Sequence, residues 1–283
     1  MASFWTIFRF SSWRLRWTVL GWGIPLMLLG LITTPFYDLV AENERQLRPV
    51  IQGLKPLVKS FIGGDAAEEI FTPQGFLALR YFAFLPIILG IFSAVSGSGM
   101  LVSDEERGIL DFLLAHPAGR ASVFFGRLFA LCCALTAILG LGWIGLWCGV
   151  WRADSLHFPP GELLLPYASV MAVSLFFMTL ALVLSMIMPS RVTAAMTTGF
   201  VVLAGEIITN LAKAIAQLET TARFSPLTYF QANAMRGLNI LPVLGLLAFA
   251  LLFSLLAWIG FQRRDIRVAG DGGWKLPFLA RRK

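Results

Sequence analysis

The sequence predicts an all-α integral membrane protein: six transmembrane helices, an amino-terminal in-plane amphipathic helix, a short helix in the first cytoplasmic loop and short helices on the outer face. Three observations carry that prediction. The 283 residues are 57% hydrophobic and only 14% charged, against about 25% charged in soluble domains. Six stretches reach the ~20 mostly apolar residues that a bilayer span requires. The aromatic complement, 24 Phe and 9 Trp, suits a lipid-facing surface with interfacial anchors.

The spans are expected at about 17–37, 77–101, 122–150, 163–188, 192–212 and 239–261. Together they make one transmembrane domain over 1–265, followed by a basic cytoplasmic tail over 266–283. The fourth and fifth are divided at Pro189, Ser190 and Arg191, because a proline stops a helix and an arginine seeks an interface. Read undivided, they would form a helix far too long for a bilayer. Arg9, Arg14 and Arg16 precede the first apolar run. That run is longer than a signal-peptide core and no small-x-small cleavage site follows, so a retained span is expected.

Residues 3–16 read as an in-plane helix capped by Ser3. Phe4, Phe8, Phe10, Trp13 and Trp17 supply its apolar surface, with Arg9, Ser12 and Arg16 on the other side. In the first outer loop, about 38–76, Leu47, Val50, Ile51, Leu54, Leu57, Val58 and Phe61 recur at helical spacing. Pro49 and Pro56 limit that stripe to one bent or two short helices. A second outer segment, about 213–238, is too short to cross and long enough to dip and return, as a helix–turn–helix or re-entrant form.

Orientation follows from the basic residues of the loops. With both termini cytoplasmic, the inner side carries 14 Lys and Arg and the outer side 9. The net charge of +7 therefore reports membrane topology, and no nucleic-acid partner is expected. Cys132, Cys133 and Cys148 all lie in one apolar run, where they read as small apolar fillers rather than a disulfide framework. His116 and His157 fall on opposite sides, so no metal site is expected.

No GxxxxGK[ST] phosphate loop is present, so the chain does not bind ATP in that way. Glu105-Glu106 lacks the arginine spacing and intramembrane histidines that a glutamate-based membrane protease would need. Gly90, Ala94 and Ser98 form a small-xxx-small face that lets another helix approach closely, and Gly145 and Gly149 repeat the pattern in the third span. Glu206 lies within the fifth span with Asn210 and Lys213 along the same face. A carboxylate at a span centre costs roughly 2.5–3.5 kcal/mol on insertion scales, so it has to be neutral, paired or facing water. Local pairing or snorkelling is one account, and lining a pathway or gate with Asn210 is the other.

The densest charge lies in residues 103–120, SDEERGILDFLLAHPAGR. Asp104, Glu105 and Glu106 suit a helix amino terminus, which favours negative charge, and charge this dense is expected to face water. Ile109, Leu110, Phe112, Leu113 and Leu114 follow as about two apolar turns relieved by Asp111, closed by Pro117 and Gly119, with Arg120 and Arg127 flanking the next span. Such a helix either tucks under its own bundle or docks a partner.

Glu106, Gly108, Leu110, Asp111, Leu113, Leu114, Pro117, Arg120 and Arg127 fit a pattern that resembles the first cytoplasmic loop of ABC-2 type permeases, the membrane subunits of one class of ATP-driven exporters. Ile109 and Ala118-Gly119 depart from it without changing its spacing. The six-span layout, the amino-terminal helix and the stretch Ser225-Pro226-Leu227-Thr228-Tyr229-Phe230 are also similar to that family. The resemblance implies that this loop is a coupling helix, with Glu105, Glu106, Gly108, Leu110, Asp111, Phe112, Leu113, Leu114, Pro117 and Arg120 seated on a separate cytosolic ATPase. It further implies two ATPase copies that carry ATP and Mg, no cofactor on this chain, and a permease homodimer or pseudo-symmetric heterodimer in a bacterial or archaeal inner membrane. The chain itself would be a transport subunit and not an enzyme. Spans rich in Phe, Leu and Trp favour a hydrophobic or amphipathic cargo, drug or lipid-like. A non-transport membrane scaffold or sensor component is the alternative.

Overall fold

The computed structural model describes residues 2–53, 69–106 and 119–263. Among them there are no strands, and six helices are long and apolar enough to cross a membrane. In chain order the helices are α1 (Ala2–Glu42), α2 (Glu44–Gly53), α3 (Pro73–Arg80), α4 (Leu85–Glu106), α5 (Arg120–Arg152), α6 (Pro160–Ile187), α7 (Arg191–Ala214), α8 (Glu219–Ala222) and α9 (Ile240–Arg263). Ala2 and Arg263 lie at one end of the bundle, called here the terminal end.

The expected in-plane helix and first span are one unbroken helix. α1 runs through the anticipated change of direction near residue 16 and through Pro25 and Pro35. Pro35 has no N–H to give the carbonyl one turn back. The Thr34 hydroxyl donates to that same carbonyl, of Leu31, at 3.3 Å. The aromatic residues of the first sixteen also divide differently from the expected amphipathic pattern. Phe8 packs on Phe129 of α5, and the first turns lie over Gly126. Trp5, Phe10, Trp13 and Trp17 face outward instead, and the Arg16 guanidinium stacks 3.6 Å above Trp13.

The second apolar run is broken where its hydropathy gives no warning. α3 starts from the Thr72 cap, whose side chain accepts from the Gly75 N–H, and ends at Arg80. A single 3₁₀ turn, Phe82–Phe84, then leads into α4, with Pro86 in the first turn where its missing N–H costs nothing. Tyr81, at the break, is fully buried; its hydroxyl meets that of Tyr167 at 2.7 Å and lies 3.4 Å from the Gly142 carbonyl. The break lets one polar tip satisfy itself between α5 and α6 inside an apolar core.

The division between the fourth and fifth spans falls where Pro189 places it. Met188, preceding the proline, is extended, with ψ 158°. Ser190 then caps α7 in a reciprocal box with Thr193. In the first outer loop α2 continues through Pro49, while Leu54, Leu57, Val58, Phe61 and the Gly63-Gly64 pair lie outside the described residues. The second outer segment forms no pair of regular helices. It is a chain of short turns (Ala216–Leu218, Glu219–Ala222, Pro226–Tyr229, Ala234–Arg236) closed by Gly237 at φ 141°.

Close backbone approach organises the packing. α1 lies along α5, and α6 sits at the centre against α4, α5, α7 and α9. In lipid no hydrophobic driving force holds helices together, so small residues matter most. Gly145 of α5 lies against the Met27 backbone, Gly30 of α1 against Leu146, and Gly149 against Thr34 and the Gly30 carbonyl. On α4, Gly90, Ala94 and Ser98 are all buried as expected, with Gly90 set against Val202 of α7. The tightest approach on that helix is at Gly97, beneath the Met178 carbonyl of α6. A methyl group at Gly145 would collide with backbone that cannot swing aside. Gly145→Ala is therefore expected to destabilise the purified protein by about 1–3 kcal/mol, read as a lowered unfolding midpoint in detergent. Gly140→Ala, on the same helix with open space at its Cβ position, should leave the midpoint unchanged.

Candidate functional site

The ionic centre of the molecule lies at the terminal end, where α1, α4, α5 and α7 meet. Asp104 stands in the last turn of α4 and is only 2% exposed. Arg14 of α1 donates to both carboxylate oxygens, at 3.0 and 3.3 Å. Arg127, two turns into α5 and 6% exposed, donates to Asp104 Oδ2 at 2.6 Å and to the Met100 carbonyl at 3.0 Å.

This corrects two expectations. Asp104, Glu105 and Glu106 lie within a helix that began at Leu85, so they do not form a helix amino terminus. Asp104 and Glu105 are also buried, not facing water. The arginines offset the cost of that burial: two cations face the Asp104 carboxylate. Removing one partner from a buried ion pair costs about 3–5 kcal/mol, so each arginine is tied to the presence of the carboxylate.

Two further contacts bracket residues 107–118. At the near side, Glu106 accepts from the Arg191 backbone N–H at 3.0 Å and its carboxylate lies 3.6 Å from Arg191 Nε. Arg191 Nη1 also reaches Ser103 Oγ at 3.3 Å. At the far side, Arg120 donates to the carbonyls of Phe261 and Gln262, at 3.3 and 3.0 Å. Both carbonyls belong to α9, so Arg120 ties the start of α5 to that helix. Of the residues expected in the coupling segment, Glu105, Glu106 and Arg120 are therefore brought together at this end. Gly108, Leu110, Asp111, Phe112, Leu113, Leu114 and Pro117 lie outside the described residues.

Glu206 and Asn210 lie toward the other end of α7. The Asn210 amide donates to Glu206 Oε1 at 2.9 Å, and Lys213 Nζ donates to Asn210 Oδ1 at 2.9 Å. The three side chains form a ladder climbing one face of the helix, with Glu206 half-buried and Lys213 exposed. Beside it, the Ser225 hydroxyl donates to the Gly205 carbonyl at 3.2 Å, and Thr209 lies 3.1 Å from both the Ser225 and Thr228 hydroxyls. The 225–230 stretch is thus docked on α7 one residue from the ladder.

Sequence reasoning treated Arg14 only as loop charge and did not connect Arg127 to Asp104. The available signal was Arg127 itself, an arginine within an otherwise apolar run that needs a partner.

These features define a multi-pass helical membrane protein whose ionic joints cluster around one loop at one end of the bundle. The chain belongs to the ABC-2 family of transporter proteins, whose family model matches residues 22–266. It is accordingly a membrane transport subunit, of a family that pairs with an ABC ATPase. Among curated proteins no relative matches the chain.

The ionic hub predicts a specific pattern of stability. Asp104→Leu should lower folding stability by about 3–5 kcal/mol, measured as the loss of folded protein after detergent extraction. Combining it with Arg127→Met should recover most of that loss, since no buried charge is then left alone.

Proposed function

We propose that the chain is the permease subunit of an exporter, driven by a cytosolic ATPase that docks on residues 103–120. In this reading both termini are cytoplasmic in a bacterial or archaeal inner membrane. Two ATPase copies hold ATP and Mg, and two permease subunits, identical or pseudo-symmetric, enclose the pathway. The cargo is hydrophobic or amphipathic, drug or lipid-like.

The observation that carries the proposal is the pair of contacts at the roots of the docking loop. Glu106 joins its start to α7 through Arg191, and Arg120 joins its end to α9 through the carbonyls of Phe261 and Gln262. A displacement of the loop is therefore delivered to α4 and α5 through the chain and to α7 and α9 through these contacts. α7 carries the Glu206–Asn210 ladder and the docked 225–230 stretch. In this reading the ladder belongs to the pathway or its outer gate.

Two experiments test this. Leu113→Asp places a charge on the apolar docking surface and should reduce co-purification of the ATPase by at least about tenfold; undiminished co-purification and transport would defeat the docking assignment. Glu206→Gln keeps the shape and the hydrogen bond from Asn210 but removes the charge. It should lower transport into vesicles holding the complete complex without reducing assembly.

A further inference from the structure

A cleft of about 290 Å³ opens at the terminal end between α1, α4, α5 and α7. Its chemistry is graded along the bundle. On α1 the lining residues Arg14, Thr18 and Trp22 follow at four-residue intervals on one face. On α4, which runs antiparallel, the lining goes from Asp104 and Ser103 at the end through Met100, Gly99 and Ser96 to Val95. Arg14 to Trp22 and Ser103 to Val95 are each eight residues, about 12 Å along a helix. All four charged groups of the lining (Arg14, Asp104, Arg127 and Arg191) lie toward the terminal end, Thr18 and Ser96 lie further in, and Trp22 and Val95 close the inner end, with Leu15 and Met100 adding apolar surface between.

From this gradient we infer that the cleft is a binding site for one anionic phospholipid of the adjacent leaflet. The phosphate sits between Arg14 and Arg191, the glycerol esters at the hydroxyls and an acyl chain along Trp22 and Val95. The charge balance favours it. Three arginines line the cleft against one carboxylate, and Asp104 is already saturated by Arg14 and Arg127. The Arg14 and Arg191 side chains each remain 43% exposed, and the Arg191 guanidinium meets Ser103 at 3.3 Å and Glu106 at 3.6 Å. A phosphate oxygen offers the shorter, charge-assisted bond that those long contacts lack.

The depth fits as well. Trp13 and Trp17, which flank Arg14 in sequence, face outward beneath Arg16, as interfacial aromatics do at headgroup level. At the inner end of the cleft Val95 is exposed on the outer surface of the bundle, so an acyl chain can pass from the cleft into surrounding lipid. A free phosphate would use the cationic end and leave the apolar end empty. The site belongs to the described surface of this chain alone and stands whether or not the transport reading holds.

The test uses the full-length chain, purified in neutral detergent and delipidated. It is titrated with phosphatidylglycerol or phosphatidylcholine of identical acyl chains, and binding is read by native mass spectrometry. Phosphatidylglycerol should bind at least about tenfold more tightly than phosphatidylcholine, and millimolar inorganic phosphate should not displace it. Arg191→Gln should weaken phosphatidylglycerol about tenfold, with Arg191→Lys intermediate. Gly99→Leu should weaken both lipids, because its Cβ position meets only Arg191 Nη1, at 3.9 Å; the side chain enters the cleft without a clash. Arg223→Gln, on an exposed arginine at the opposite end, should bind as the parent does. Equal affinity for the two lipids, displacement by phosphate, or parental binding by both Arg191→Gln and Gly99→Leu would each overturn the inference.

Discussion

One carboxylate holds the terminal end of this bundle together. Left alone, Asp104 would bring a charge into an apolar interior. Arg14 and Arg127 come from two other helices to meet it, and their geometry fixes how α1, α4 and α5 stand relative to one another. The glycine seams between α1 and α5 can then close to backbone contact because the register at the end is already set. Dispersion supplies most of the attraction along the seam, and the charges supply its alignment.

The same end carries the contacts that frame the loop. Arg191 begins α7 and Arg120 begins α5, and each satisfies groups on a neighbouring helix. The Arg191 N–H is one of the donors that a helix start leaves without an intrahelical partner. The result is a set of joints made from helix termini rather than from helix faces. The other half of the molecule is built differently: the Tyr81–Tyr167 pair sits in an aromatic core, and Asp38 accepts the Ser155 backbone N–H to tie α1 to the α5–α6 connection.

Much of this was legible in the sequence, and the exceptions share a cause. Apolar run length located the six spans, because the requirement is local and imposed by bilayer thickness. Pro189 divided α6 from α7 because the restriction on its preceding residue is local too. Gly90, Ala94 and Ser98 were read as a packing face for the same reason. The acidic cluster was misread as solvated because its environment is set by Arg14, ninety positions earlier, and nothing near Asp104 announces that residue. The break at Tyr81 escaped notice because its purpose, a hydroxyl pair with Tyr167, is equally distant along the chain. Gly97 proved the closer contact on α4 because the angle at which α6 crosses decides which small residue is met.

The order of residues in the Asp104 hub has a bearing on how the protein is made. Synthesis runs from Arg14 to Asp104 to Arg127, so α1 and its cation are complete before the carboxylate emerges. Asp104 therefore has an available partner when α4 first enters the membrane, twenty-three residues before its shorter contact with Arg127 can form. The exposed arginine thus precedes the carboxylate in the chain and the buried one follows it.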